Sequence, residues 1–350
     1  MRIDADIQVP TPANADLKPW LPATFVDYID TSGYQGPDCD DFPDTAAISW
    51  REDVPKSFDA AWLADHLNSG TVTDLAILRS GFRPESIHQP DLALASARAA
   101  NAWLAESWLS MDSRFRGSLV VPSQHPEMAA PLVEEQAADE RFVQVELPVR
   151  SREPYGNRRY WPLFRVAAAR GLVICLTPGG SPGNPPTPSG WPATYMEEVT
   201  DFASVFQAQV VSLIFEGAFA EIPDLRVVLA GSGVTWLPAL CWRFDKEWKG
   251  LRQHTPWVQD PPSAHVRDRI RLTTTPFDGP DDQETVRSLI HQLPAKADNL
   301  LWGSALPRNY ARPAGWLPAC LVPTDRQTVA GANARSWYPR LGAFAPAADH

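Results

Sequence analysis

Eight short apolar runs recur along this chain, and a helix-length segment follows nearly every one. The runs cover residues 2–8, 73–79, 118–122, 142–147, 172–177, 226–230, 270–274 and 300–302. Those at 118–122 and 226–230 are almost unbroken hydrophobic sequence, the pattern of strands buried on both faces of a parallel sheet. Helical spacing or helix-boundary residues mark 91–111, 126–138, 160–170, 195–217, 236–253 and 282–293 between them. Eight strands alternating with helices predict an α/β fold, a (β/α)8 TIM barrel forming one domain over residues 1–350.

Two stretches break the alternation. Residues 9–72 are too long for a βα loop and predict an insertion between the first two strands, folding over the barrel mouth. They carry an acidic turn, Asp38, Asp40, Asp41 and Asp44, whose spacing lacks the glycine and terminal glutamate of a calcium loop. Residues 178–192 hold six prolines and four glycines, and such a loop in a compact domain is usually functional. The other prolines of the chain's 35 are scattered beside apolar segments, as punctuation between elements.

Composition narrows the partners. A net charge of −11, with 31 basic against 42 acidic residues and no basic cluster, argues against nucleic acid, whose affinity comes from neutralised phosphates. No apolar run approaches the length of a membrane span, and the first residues do not follow the basic-then-apolar order of a signal peptide. Cys39, Cys175, Cys241 and Cys320 form no CxxC pair. A cytoplasmic location with reduced thiols is expected.

A barrel places its chemistry at the C-terminal ends of the strands. Those positions hold Asp6 and Gln8, Arg79 and Ser80, Gln124 and His125, Glu146 and Arg150, Thr177, Ser232, Thr274 and Thr275, and Ser304. Asp6 is the candidate general acid or base. Gln8, Glu146, Arg150, Thr177, Ser232 and Ser304 are candidate substrate-binding residues, with Arg150 able to grip an anionic group through paired hydrogen bonds.

Several ordered strings carry a family resemblance. They include Asp4-Ala-Asp-Ile-Gln8, Asn101-Ala-Trp-Leu-Ala-Glu-Ser-Trp108, Arg114-Phe-Arg-Gly117, Val121-Pro-Ser-Gln-His-Pro-Glu127 and Arg159-Tyr-Trp-Pro162. Ser212-Leu-Ile-Phe-Glu-Gly217, Pro223-Asp-Leu-Arg-Val-Val228, Trp236-Leu-Pro238 and Asn333-Ala-Arg335 continue the series. Together they resemble the amidohydrolase-related family, in the branch of aminocarboxymuconate semialdehyde decarboxylase and resorcylate-type decarboxylases. The resemblance implies a divalent metal held by an acid-x-His pair on strand one, a His on strand five, a His after strand six and an Asp after strand eight.

Here those positions read Asp6 and Gln8, Thr177, Gly231 and Ala305. One carboxylate does not hold a transition metal, which needs three or four converging ligands. No metal or other cofactor is therefore expected. The leading expectation is a non-catalytic or scaffold subunit in a homo- or hetero-oligomer with another amidohydrolase-like, metal-competent chain. The alternative is a metal-independent hydrolase, or a C–C lyase or decarboxylase, acting on a small organic acid or aromatic ligand in the mouth. A third reading keeps a metal through other ligands, led by His125, although helix capping suits that residue better.

Overall fold

The computed structural model describes residues 1–36, 50–69, 73–180, 185, 187–308 and 316–341. Eight parallel strands pair in sequence order: β1 (Ile3–Gln8), β2 (Leu75–Arg79), β3 (Phe115–Val120), β4 (Phe142–Arg150), β5 (Val173–Gly180), β6 (Val227–Leu229), β7 (Ile270–Thr273) and β8 (Leu300–Leu301). Ala5 N donates to Trp302 O at 3.0 Å and Gln8 N to Leu306 O at 2.7 Å, drawing β1 and β8 together into a nearly closed barrel. The expected TIM barrel, with its long insertion after β1, is the observed fold.

The helices lie outside: α1 (Ala23–Ser32) and α2 (Ala60–Asn68) within the insertion, then α3 (Pro90–Leu104), α4 (Pro126–Gln136), α5 (Trp161–Ala169), α6 (Tyr195–Phe215), α7 (Leu237–Leu251), α8 (Pro262–Arg269), α9 (Gln283–Gln292) and α10 (Asn333–Trp337). Prolines open several of them, at Pro90, Pro126 and Pro262, where the missing N–H would have no helical partner anyway. Thr194 starts α6 through a reciprocal pair with Glu197. No helix among the described residues is long and apolar enough to cross a membrane.

Several strand boundaries differ from those expected, among them the end of β4, which runs on to Arg150 rather than 147. β3 begins at Phe115 rather than Ser118, because the buried Arg116 is accommodated within the strand, its Nη1 donating to the carbonyls of Ser113 and Phe115 at 2.8 and 2.6 Å. β5 runs on through Pro178 to Gly180, so the proline-rich stretch begins as strand. Part of that stretch, 181–184 and 186, and the acidic turn at Asp38–Asp44 lie outside the described residues. In the insertion, Leu17 packs with Phe82, Leu92 and Ala93, beside α3. Arg51 N reaches Pro307 O at 2.9 Å, along the segment that leaves β8 at the mouth.

The barrel interior is closed at its base. Ile3, Leu75, Ile77, Val143, Val173, Cys175, Val228 and Leu301 meet Trp337, Tyr338 and Leu341 in one buried cluster. Asn333 fixes this plug, donating from Nδ2 to Ala297 O at 3.0 Å and Leu300 O at 2.8 Å. The open end is therefore the one at the strands' C-termini.

Candidate functional site

A bulge in β1 sets the mouth. Asp4 pairs with Ala76 and Ile7 with Leu78, so three steps on β1 face two on β2. Side chains otherwise alternate across a strand, and Asp4 and Asp6 would share a face. With the bulge, Asp4 follows Ala76 toward the outer layer, while Asp6 and Gln8 share the inner face with Arg79. Asp4 holds the bulge: its Oδ1 accepts from Asp6 N at 3.1 Å and from Ser304 N, beyond β8, at 2.9 Å. Burial lifts the Asp4 carboxyl to about 7, against the hydrogen bonds from Ser304 and Asp6.

Inside, four charged side chains form a chain across the mouth. Arg79 donates from Nε to Asp6 Oδ1 at 2.8 Å, and its Nη2 lies 2.7 Å from the same oxygen. Its Nη1 donates to Glu146 Oε1 at 3.0 Å. Arg83 Nη1 reaches that same Glu146 oxygen at 3.4 Å and Thr177 Oγ1 at 3.3 Å, while its Nη2 donates to Pro178 O at 2.9 Å. Thr177 Oγ1 donates to Glu146 Oε1 at 3.2 Å. β2, β4 and β5 thus meet at one carboxylate oxygen, to which Arg79 links β1, and Glu146 Oε2 is buried with no hydrogen-bond partner among the described residues. Asp6 and Glu146 are 2% and 3% exposed, and Arg79 6%.

Burial fixes the electrostatics. It pushes the Asp6 carboxyl upward, against the attraction of Arg79. Burial alone would lower the Arg79 guanidinium, but Asp6 and Glu146 more than reverse that and hold it charged. Beneath them, burial drives the Cys175 thiol well above its usual range, which keeps it a neutral core group.

Of the residues singled out in sequence, Asp6, Glu146 and Thr177 come together. The others turn to different neighbours. Gln8 packs its amide against Gly81, whose absent side chain leaves that room. Arg150 is paired with Glu198 of α6 at 3.1 Å. Ser232 turns back to donate to Gly233 O at 2.7 Å, and Ser304 Oγ accepts from Leu306 N at 3.1 Å. His125 stands at the start of α4, its Nδ1 3.5 Å from Glu127 Oε1, and its side chain caps no helix N–H.

Two participants escaped the sequence reading. Arg79 stood among the strand ends without a role, and Arg83, four residues beyond it, was not considered. The usable signal was charge balance: two acids expected inside a barrel require nearby cations.

The mouth's residues do not fit the divalent metal that the family resemblance implies. Asp6 is engaged by Arg79, and Thr177 spends its proton on Glu146. At Gly231, φ 74°, an added Cβ would meet Pro178 Cγ at 2.9 Å, so the ring occupies the space a ligating side chain would need. Ala305 has a left-handed φ of 54°. Among the described residues no three His, Cys, Asp or Glu side chains converge as a metal-binding group.

Comparison with known proteins places this geometry. The amidohydrolase family profile matches residues 66–340. The gamma-resorcylate decarboxylase of Polaromonas sp. (strain JS666 / ATCC BAA-500) is 25% identical over 276 residues, 73% of this chain and 79% of that protein. The fold is shared with a dihydroxybenzoic acid decarboxylase from Polaromonas sp. JS666, solved with bound manganese and the inhibitor 2-nitroresorcinol. The TM-score is 0.67 at 22% identity, covering 96% of each chain. It is shared equally with 5-carboxyvanillate decarboxylase from Sphingomonas paucimobilis, with a TM-score of 0.67 at 18% identity over 96% of this chain and 98% of the other. Relatives that are decarboxylases overturn the expectation of a non-catalytic scaffold subunit. Physically, the mouth is also not filled in with apolar packing but keeps buried, interacting charges.

Proposed function

We propose that this chain, which belongs to the amidohydrolase family, is a decarboxylase of small aromatic carboxylic acids that works in the barrel mouth through its own side chains. The observation that carries the reading is the buried Asp6–Arg79–Glu146–Arg83 chain, which ends in a guanidinium that among the described residues is held by long or backbone contacts.

Arg83 is the group that receives the substrate carboxylate. Its bonds to Glu146 and Thr177 are 3.4 and 3.3 Å, long enough to yield to a better acceptor. Glu146 Oε2, buried and without a partner among the described residues, is ready to accept from a donor on the substrate ring. Asp6 is the proton carrier, since burial raises its pKa and Arg79 stabilises the carboxylate left after transfer. The proton passes from Asp6 to the ring carbon that bears the carboxylate. The bond from that carbon to the carboxylate then breaks, its electron pair restores the ring, carbon dioxide leaves, and Asp6 regains a proton from solvent.

The test is release of carbon dioxide from 2,6-dihydroxybenzoate and 5-carboxyvanillate, the acids in the relatives' names, with Asp6→Asn beside the native chain. Asp6→Asn is expected to fold, because Arg79 keeps Glu146, and to lose turnover. Native rates in that variant would remove Asp6 as the acid, and no turnover of any aromatic acid by the native chain would remove the function.

A further inference from the structure

The mouth that lacks a metal-binding donor set still contains a cation. We infer that Arg79 has taken the place of the divalent ion, so that this barrel carries a covalently attached cation and is built to exclude a metal.

Three observations converge on this. The first is the bonding. Arg79 touches Asp6, at the strand-one position where the family resemblance puts a metal-ligating acid, through two nitrogens at 2.8 and 2.7 Å. It simultaneously reaches Glu146 on β4 at 3.0 Å, bridging two acids from non-adjacent strands as a metal ion would. A planar guanidinium with several donors in fixed directions suits that bridging role.

The second is the refilled space. The pyrrolidine ring of Pro178 lies 2.9 Å from where a Cβ would stand on Gly231. At Gly303 a Cβ would fall 3.0 Å from Asp6 Cβ and 3.2 Å from Thr273 Cβ. At both positions a longer side chain reaching in toward Asp6 would have no room.

The third is charge. With Asp6 protonated the bonded set is already positive, and with both acids ionised its two carboxylates and two guanidinium groups make it neutral. A divalent ion added to it would leave two uncompensated positive charges in a buried site, a large desolvation cost. With Arg79 absent, the two acids would keep Arg83 as their bonded guanidinium, with Arg308 acting on Asp6 through space, and the ionised bonded set would carry a net negative charge that a cation could neutralise.

The consequence deepens the proposed function and rests on it. A guanidinium stabilises a carboxylate and orients it by hydrogen bonds, but it has no bound water to ionise, which is what a metal contributes to hydrolysis. A mouth with Arg79 as its cation therefore suits cleavage of a carboxylate from an anionic ring, and its activity is indifferent to chelators.

Manganese chloride titration tests the inference without reference to turnover, with unbound Mn2+ followed by its paramagnetic resonance and Tm recorded in parallel. The native chain and Arg79→Lys are expected to leave the ion free and their Tm unmoved. Arg79→Ala is expected to bind one ion per chain and to gain Tm when it does. Stoichiometric binding by the native chain would overturn the inference, as would a folded Arg79→Ala that takes up no more manganese than the native chain. If Arg79→Ala folds neither with nor without manganese, the native titration decides alone: one bound ion overturns the inference and none upholds it. A native chain that excludes manganese yet decarboxylates nothing would remove the function and leave the inference standing. One that decarboxylates while holding manganese would do the reverse.

Discussion

The two ends of the barrel interior are made by the same strands and filled by opposite means. At the base, Ile3, Leu75, Ile77, Val143 and Val173 pack against Trp337, Tyr338 and Leu341. One step along the inner face, Ile77 gives way to Arg79, Gln144 to Glu146 and Cys175 to Thr177. Burial of apolar area at the base contributes roughly 25 cal/mol per Å2. Ion pairs buried at the mouth lose most of their attraction to desolvation, so well-packed apolar residues would serve stability at least as well. The base is what a barrel needs to stand, whereas the mouth holds groups that stability alone does not select. That contrast is the physical reason to look for chemistry at one end and none at the other.

The sharpest way to break the contrast is Arg79→Ala in metal-free buffer. It leaves Asp6 without its bonded guanidinium and Glu146 with Arg83, and breaking a buried pair in this way costs about 3–5 kcal/mol. Urea denaturation should show that loss as a lower midpoint. A variant as stable as the native chain would mean that water reaches the mouth and solvates the acids, and the mouth would no longer differ from a surface.

A smaller effect is expected at the other end. Tyr338 Oη donates to Gln144 Oε1 at 2.8 Å, and Gln144 Nε2 donates to Ser118 Oγ at 2.8 Å, a polar thread through the otherwise apolar base. Tyr338→Phe removes one donor from a buried acceptor and should lower stability by about 1–2 kcal/mol. Under the division proposed here, kcat should not move. A fall in kcat at unchanged KM would show that the thread reaches Glu146, two residues along β4, and would join the two ends functionally.

How far these ends could be read from sequence follows from the range of the interactions that make them. The strands were legible because burial on both faces leaves a local record, an apolar run such as Arg226–Ala230 around β6. The start of β3 was not, since Arg116 and Gly117 look like loop residues until the carbonyls that satisfy the guanidinium are seen. At the mouth, strand ends gave positions but not partners. Asp6, Glu146 and Thr177 were placed in the mouth on position alone, and Gln8, Arg150, Ser232 and Ser304 were included on the same ground although each turns to a different neighbour. The decisive contacts join residues 73 and 67 positions apart, Arg79 to Asp6 and to Glu146, and no local pattern records them. The loss of metal ligands was visible residue by residue. What filled the gap was not, and reading the loss as loss of function followed from that blind spot.

Asp4 supplies the mildest perturbation, and it probes the seam that joins the two ends. Its carboxyl is raised from 3.8 to about 7 by burial, so between those values the folded chain binds a proton that the unfolded chain has released. Stability from this group is therefore greatest below 3.8 and is lost as the pH rises through the window toward about 7. One proton gives a slope of at most about 1.4 kcal/mol per pH unit. Asp4→Asn keeps an oxygen to accept from Asp6 N and Ser304 N but cannot ionise. Urea midpoints of the two chains should therefore be similar near pH 4 and diverge toward neutral pH, with the variant the more stable. Because Asp4 Oδ1 holds the bulge that turns Asp6 inward, the ionisation also bears on the mouth: a charged Asp4 places a second negative charge close to Asp6. A stability difference that does not change across this window would show that the Asp4 carboxylate is ionised throughout, held by its two backbone donors, and the seam would then be a fixed joint rather than a titrating one.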